Sequence, residues 1–229
     1  MTAIDWQEEQ PLSHQPSAPR AVIYTGGNLG PWSLSLARRG DYLIGADKGA
    51  YYLVQNGIAP HLALGDFDSV DADALARIRA EALETAAFDA VDKDWSDTEL
   101  ALREALARGY RDIVIAGGLG SRFDHSLANV QLLAVAAQAG ATAMLVDEHN
   151  EIRLLTESGR LNADERYPYV SLLPLTPEVT GVTLTGFAYP LNEATLRHGM
   201  SLGVSNLLTA EEGLISLRSG SLLVIRSRD

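Results

Sequence analysis

The sequence predicts an α/β protein: an N-terminal parallel-sheet, Rossmann-like domain followed by a small C-terminal antiparallel β-sandwich domain. Three observations carry this. From about residue 20 to residue 150 short apolar runs alternate with helical periods, and such alternation implies parallel strands covered by helices on both faces. Beyond about Glu151 the runs shorten and are separated by Gly, Pro and Asn, the texture of antiparallel strands joined by turns. The glycine-rich and acidic segments of the first part all follow apolar runs, where open parallel sheets bind their ligands. The expected organisation is a flexible tail over 1–19, an α/β domain over 20–150 and a β domain over 151–229.

Each element has its own signal. Residues 1–19 hold Pro11, Pro16 and Pro19 among polar residues without periodicity, so no packed element is expected there. An apolar strand over 21–25 runs into Gly26 and Gly27, and a helix over 32–39 is stopped by Gly40. A strand over 42–46, a helix over 49–56 closed by Gly57 and a strand over 62–64 follow. Helices over 73–84 and 97–107 precede a strand over 112–116. The stretch 126–146 carries no charge and is long enough to span a bilayer. Asn129, Gln131, Gln138 and Gly140 interrupt it, so it reads instead as a buried helix ending near Gly140 and a strand over 143–146. Strands over 169–173, 182–185, 203–208, 214–217 and 222–225 complete the series.

Composition narrows the function. At 229 residues the chain can bury a sizeable core. It has no cysteine, which removes disulfides and thiolate metal sites. A formal charge of −12 disfavours nucleic acid as a partner. The N-terminus is polar and acidic, unlike a signal peptide, and a cytoplasmic protein without membrane attachment is expected.

The chemistry concentrates in loops. Gly65-Asp66-Phe67-Asp68-Ser69 closes an apolar run, and strand alternation would put Asp66 and Asp68 on one face. Two carboxylates so placed repel each other unless a cation lies between them. Oxygen ligands select Mg²⁺ or a similar hard ion, which completes its shell with water and substrate phosphates. A second acidic cluster, Lys93-Asp94-Trp95-Ser96-Asp97-Thr98-Glu99, strengthens the reading. Thr25-Gly26-Gly27, Asp47-Lys48-Gly49 and Gly117-Gly118 follow three other strands and would let backbone amides approach an anion closely. The chain has sixteen Arg but only two Lys, and both Lys48 and Lys93 stand beside aspartates in these loops. Their placement suits a compact ammonium rather than a planar guanidinium. Arg122 offers a fork for phosphate oxygens. Asp124 and His125, next to it at a helix start, are either catalytic or a cap and a packing residue.

Taken in order, Ala46-Asp47-Lys48-Gly49-Ala50, Asn56-Gly57-Ile58-Ala59-Pro60, Gly65-Asp66-Phe67-Asp68-Ser69, Lys93-Asp94-Trp95-Ser96-Asp97-Thr98-Glu99, Gly120-Ser121-Arg122-Phe123-Asp124-His125 and Gly203-Val204-Ser205-Asn206 resemble the motifs of the thiamine pyrophosphokinase family. The resemblance covers about residues 20–229. It implies an α/β catalytic domain, a β-sandwich domain, a homodimer, and transfer of the terminal pyrophosphoryl group of ATP to thiamine with release of AMP. On that pattern Asp66, Asp68 and Asp97 hold Mg²⁺. The nucleotide lies on Gly26, Gly27, Asp47, Lys48, Gly49, Lys93, Ser96 and Gly118. Arg122 serves the transferring group, and Asp94 and Asp124 are alternative holders of the nucleophile's proton. Tyr189, Ser205 and Asn206 line the thiamine pocket, in a site that two subunits share. Three positions depart from the family pattern: Lys48 stands for a glycine, Ser96 for a threonine, and Leu207 for an acidic residue. The rival readings are a pyrophosphokinase for another hydroxymethyl heterocycle, such as a pterin, and a non-catalytic sensor.

Overall fold

The computed structural model describes residues 19–87 and 95–229. Tail residues 1–18, together with Lys93 and Asp94, lie outside the described residues. The chain divides into two compact units, Met1–Gly117 and Gly118–Asp229.

The first unit is built on parallel strands. β1 (Arg20–Tyr24), β2 (Tyr42–Ala46), β3 (Leu62–Gly65), β4 (Thr85–Ala87) and β5 (Asp112–Ala116) lie in the order β5-β1-β2-β3-β4. The described pairs β1–β2, β1–β5, β2–β3 and β3–β4 are all parallel. From β1 the chain steps outward to β4 and then returns to the other side of β1. The loops after β1 and β5 therefore flank the place where strand order reverses, the usual ligand crevice of an open sheet. Ala21, Val22, Ile23 and Tyr24 are wholly buried, as a strand covered on both faces requires.

The connecting helices are α1 (Pro31–Leu34), α2 (Lys48–Gln55), α3 (Ala72–Glu81) and α4 (Asp97–Ala107). Asp71 caps α3 by accepting from Ala74 N–H at 2.8 Å, and Ser96 caps α4 by accepting from Glu99 N–H. The α1 helix is only four residues long, not the eight expected, ending at Leu34 with Ser35 as its C-cap. The edge strand β4 had no strong sequence signal: Thr85-Ala86-Ala87 is short and largely exposed.

In the second unit α5 (Phe123–Gln138) packs against the strands β6 (Thr142–Val146) and β7 (Asn150–Leu155). β8 (Gly159–Asn162), β9 (Tyr169–Pro174), β10 (Glu178–Thr185), β11 (Ala194–Arg197), β12 (Asn206–Leu207), β13 (Glu212–Ser216) and β14 (Leu222–Ser227) follow. Antiparallel pairing gives the order β12-β9-β14-β7-β6. A separate antiparallel sheet has the order β11-β10-β13-β8. Side chains of both sheets, including Val170, Leu172 and Val224 from one and Val182, Leu196 and Ile215 from the other, share one core. The uncharged stretch resolves into α5 and β6, and no described helix is long and apolar enough to cross a membrane.

Candidate active site

Three carboxylates meet at the carboxyl edge of the parallel strands. Asp47 follows β2 directly, and the register Ala46↔Leu64 sets it beside the end of β3. Its N–H donates to Leu64 O at 2.9 Å. Carboxylate oxygens of Asp47, Asp66 and Asp68 lie within 4.8 Å of one another.

The pair Asp66 and Asp68 reaches this place by a route that strand alternation does not describe. β3 ends at Gly65, so both aspartates lie in the following turn. Phe67 between them adopts φ 58° and is only 5% exposed. Its ring packs with Ala50, Val54, Ala63 and Ile78, and Asp68 N–H donates back to Asp66 Oδ1 at 3.1 Å. Burial of one aromatic ring thus fixes two charges, one half-buried at Asp66 and one exposed at Asp68. Phe67→Ala is expected to cost about 3 kcal/mol in stability through the cavity it leaves. It should also lower turnover more than Phe67→Leu does, as urea denaturation and steady-state rates on the two variants will show.

The electrostatics are those of anions waiting for a cation. The charge on Asp66 is the largest cause pushing the Asp68 carboxyl above its ordinary pKa, with Asp47 and Asp97 adding to it. Asp97 begins α4, where a helix N-terminus favours an anion. Ser69 Oγ donates to Asp47 Oδ2 in a short hydrogen bond, whereas Asp47 Oδ1 is buried with no hydrogen-bond partner among the described residues. Asp47 also sits at φ 51°, ψ −118°, a conformation costing on the order of 1–3 kcal/mol that persists only where its surroundings enforce it. An orphaned buried oxygen among carboxylates fits a hard divalent cation, whose ligands are oxygens.

Beside the carboxylates lies a cavity of about 390 Å³, lined in part by Gly26, Lys48, Tyr51, Gln55, Ser69 and Val70. The first glycine loop and the residue after β5 are stitched together, since Gly27 N–H donates to Gly117 O at 2.9 Å. That amide is therefore spent on the protein. Gly49 has a packing reason as well: a Cβ there would stand 1.9 Å from Tyr24 O, so only glycine lets α2 start this close to β1.

The second unit holds two further groups. Arg122 grips Asp124 through Nη2–Oδ2 at 2.6 Å and Nε–Oδ1 at 3.3 Å. This hydrogen bond, first among several causes, lowers the Asp124 pKa. His125 Nε2 stands 3.9 Å from Asp124 Oδ2, and all three side chains are exposed. The preceding loop is tied to α5 by Asn129 Nδ2, which donates to Gly118 O at 2.7 Å, and by Gly120 N–H, which donates to Ser126 Oγ at 3.0 Å.

Tyr189 and Asn206 form the other group. The buried Asn206 amide accepts from Tyr189 N–H at 3.0 Å and donates to Tyr189 O at 2.7 Å, clamping that backbone. The Tyr189 side chain is left 65% exposed, so it is no core residue. Ser205 is exposed at φ 60°, and its N–H donates to Ser171 Oγ.

The structure thus joins Asp47 to Asp66 and Asp68, with Asp97 acting on Asp68 through space. Sequence reading had put Asp47 in the nucleotide loop only. The available signal was its position one residue past a strand that pairs in parallel with the strand leading to Asp66.

What the fold and these groups define together is a class: α/β proteins with a carboxylate cluster at the head of a parallel sheet. Comparison with known proteins gives the family. The profile for "Thiamin pyrophosphokinase, catalytic domain" matches residues 34–145, and that for "Thiamin pyrophosphokinase, vitamin B1 binding domain" matches residues 158–222. The chain belongs to the thiamine pyrophosphokinase family. It is 37% identical over 187 residues to a thiamine pyrophosphokinase of Bacillus subtilis, covering 81% of this chain and 87% of that protein. The crystal structure of a Bacillus subtilis thiamine pyrophosphokinase is similar with a TM-score of 0.86 and 34% identity, over 92% of this chain and 99% of the other. A Geobacillus thermodenitrificans thiamin pyrophosphokinase gives 0.83 and 32%, over 92% and 98%.

Proposed function

We propose that the chain transfers the pyrophosphoryl group of ATP to the hydroxyl of thiamine, giving thiamine diphosphate and AMP. One observation carries the site: Asp47, Asp66 and Asp68 converge, with an orphaned oxygen on Asp47, in a chain of this family. The Rossmann-like segment 20–150 provides the nucleotide and metal groups, and the β-sandwich segment 151–229 provides the thiamine pocket. The working unit is a homodimer.

Asp66 and Asp68, with Asp47 beside them and Asp97 at the head of α4, would hold Mg²⁺. Bound there, the ion supplies neutralising charge for the phosphates. The residues of the chain supply positioning. Thiamine's oxygen attacks the β-phosphorus, the bond from that phosphorus to the bridging oxygen breaks, and AMP leaves. Arg122 serves the transferring group with a fork that Asp124 holds in place. Asp94 or Asp124 takes the nucleophile's proton, and Arg122 lowers the pKa of Asp124. Tyr189, its backbone fixed by Asn206, gives the cationic thiazolium an aromatic face, with Ser205 beside it in the chain.

The test is an assay of AMP release from ATP and Mg²⁺ with thiamine or with a hydroxymethylpterin. Release with thiamine alone is expected. Release only with the pterin would transfer the proposal to that substrate, and no release with either would end it.

A further inference from the structure

Trp95, Glu99 and Arg103 form a cluster at the start of α4 that the proposed chemistry leaves without a role. The Arg103 guanidinium lies 4.6 Å from the centre of the Trp95 ring. Its Nε donates to Glu99 Oε1 at 2.8 Å, and its Nη2 stands at the same distance from that oxygen. All three residues are at least partly exposed, so the cluster is no part of a hydrophobic core. Its place in the chain gives it a use. Trp95 precedes Ser96, the N-cap of α4, and Asp97 is the first residue of the helix. The residue before an N-cap commonly packs on the fourth helical residue, and that contact sets the angle at which the chain enters. Here the fourth residue, Leu100, is buried, and the Trp95 ring meets Arg103 one turn further on. Glu99 holds the guanidinium from the turn between, as acid and base four residues apart on a helix do. One ring, one guanidinium and one carboxylate thus latch the entry into α4.

We infer that Trp95 and Arg103 are positioning residues for the metal site, acting through Asp97. The inference rests on the metal-holding role proposed above for Asp97. Asp47, Asp66 and Asp68 are held by the pairing of β2 with β3 and by the buried Phe67 ring, and their oxygens lie within 4.8 Å of one another. Asp97 reaches that group by its charge on Asp68. It stands in the first turn of a helix, and helix ends fray. The cap that holds this turn is a long hydrogen bond: Glu99 N–H donates to Ser96 Oγ at 3.3 Å, against 2.8 Å for the Asp71 cap of α3. The cap is therefore weak, and the stack and ion pair supply the remaining hold on the turn that carries Asp97. Neither Trp95 nor Arg103 needs to touch the metal or the substrates.

Calorimetric titration of the whole protein with Mg²⁺ alone reads the effect without turnover. Trp95→Ala and Arg103→Met should each weaken Mg²⁺ binding by about 2- to 10-fold, since a latch passes on no more than its stack and ion pair hold. Trp95→Phe should recover most of the affinity, because an aromatic face remains. Arg103→Lys should fall between, since one ammonium cannot cover the ring and grip Glu99 together. A double-mutant cycle separates this role from a general structural one. In an Asp97→Asn background Trp95→Ala should cost nothing further, because the group it positions has gone. The inference is overturned if Trp95→Ala leaves Mg²⁺ affinity unchanged, if Trp95→Phe is as weak as Trp95→Ala, or if Trp95→Ala costs as much beside Asp97→Asn as in wild type. Affinity that falls with Asp68→Asn and Asp97→Asn but ignores Trp95 and Arg103 sinks this inference alone. Affinity indifferent to both carboxylates removes the metal site and the latch with it. The expected titrations in a protein that releases no AMP sink only the function proposed above.

Discussion

Replacing Asp66 or Asp68 by Asn is expected to lower turnover by at least about 10³-fold, the scale of losing a preorganised electrostatic group, without loss of fold stability. Neither side chain packs in a core. Asp68 meets repulsion in the free protein, since Asp66 and its neighbours push its pKa upward, and an Asn at 66 keeps an oxygen to accept from Asp68 N–H. The sign follows from linkage: with a folded-state pKa above the unfolded one, the stability associated with Asp68 is fully present below the unfolded pKa. It is lost as pH rises through the folded value. In EDTA the wild-type Tm should therefore carry a downward component across the acidic range just above the ordinary carboxylate pKa, and Mg²⁺ at neutral pH should raise the Tm. Asp68→Asn should remove that component and blunt the response to Mg²⁺. A variant of either residue that keeps near-normal kcat at saturating Mg²⁺ would remove these aspartates from the metal site.

Mixing two inactive proteins should restore activity. If the thiamine groups of one subunit serve the catalytic groups of its partner, Asp68→Asn disables one half of the shared site and Tyr189→Arg the other. Arg at position 189 removes the aromatic face and repels a cationic substrate, and the exposed position tolerates it. A mixed dimer then holds one doubly defective site and one intact site. Random co-refolding should give about a quarter of wild-type activity, because half the dimers are mixed and each has one working site. Recovery near zero from a mixture shown to contain mixed dimers places the whole site in one chain. Sedimentation showing only monomer at assay concentration also defeats the shared site.

Local signals identified much of this molecule. The helix expected over 97–107 and the strands over 42–46 and 112–116 are found with those bounds, because Ser96 with Glu99 starts the helix and unbroken apolar runs mark buried strands. β8 and β11 were missed: each has four residues, and their faces are decided by partners far along the chain. The grouping of Asp66 with Asp68 was legible, but its cause was not. It comes from Phe67 buried in a left-handed turn, and the ring finds its place only once α2, α3 and β3 have met.

By itself the sequence determined the residue types of the site and the loops that carry them, since both follow from short-range pattern: apolar runs end, and glycines, carboxylates and cations begin. Tertiary structure alone decided which of these groups meet. Asp47 joins Asp66 and Asp68 because β2 and β3 pair in parallel, aligning Ala46 with Leu64 across seventeen intervening residues. Asn206 fixes Tyr189 across a separation of 17 positions. α2 starts this close to β1 only because Gly49 leaves room for Tyr24 O. Distances between segments are set by strand register and by the volumes packed between the strands, and neither quantity belongs to any one stretch of chain.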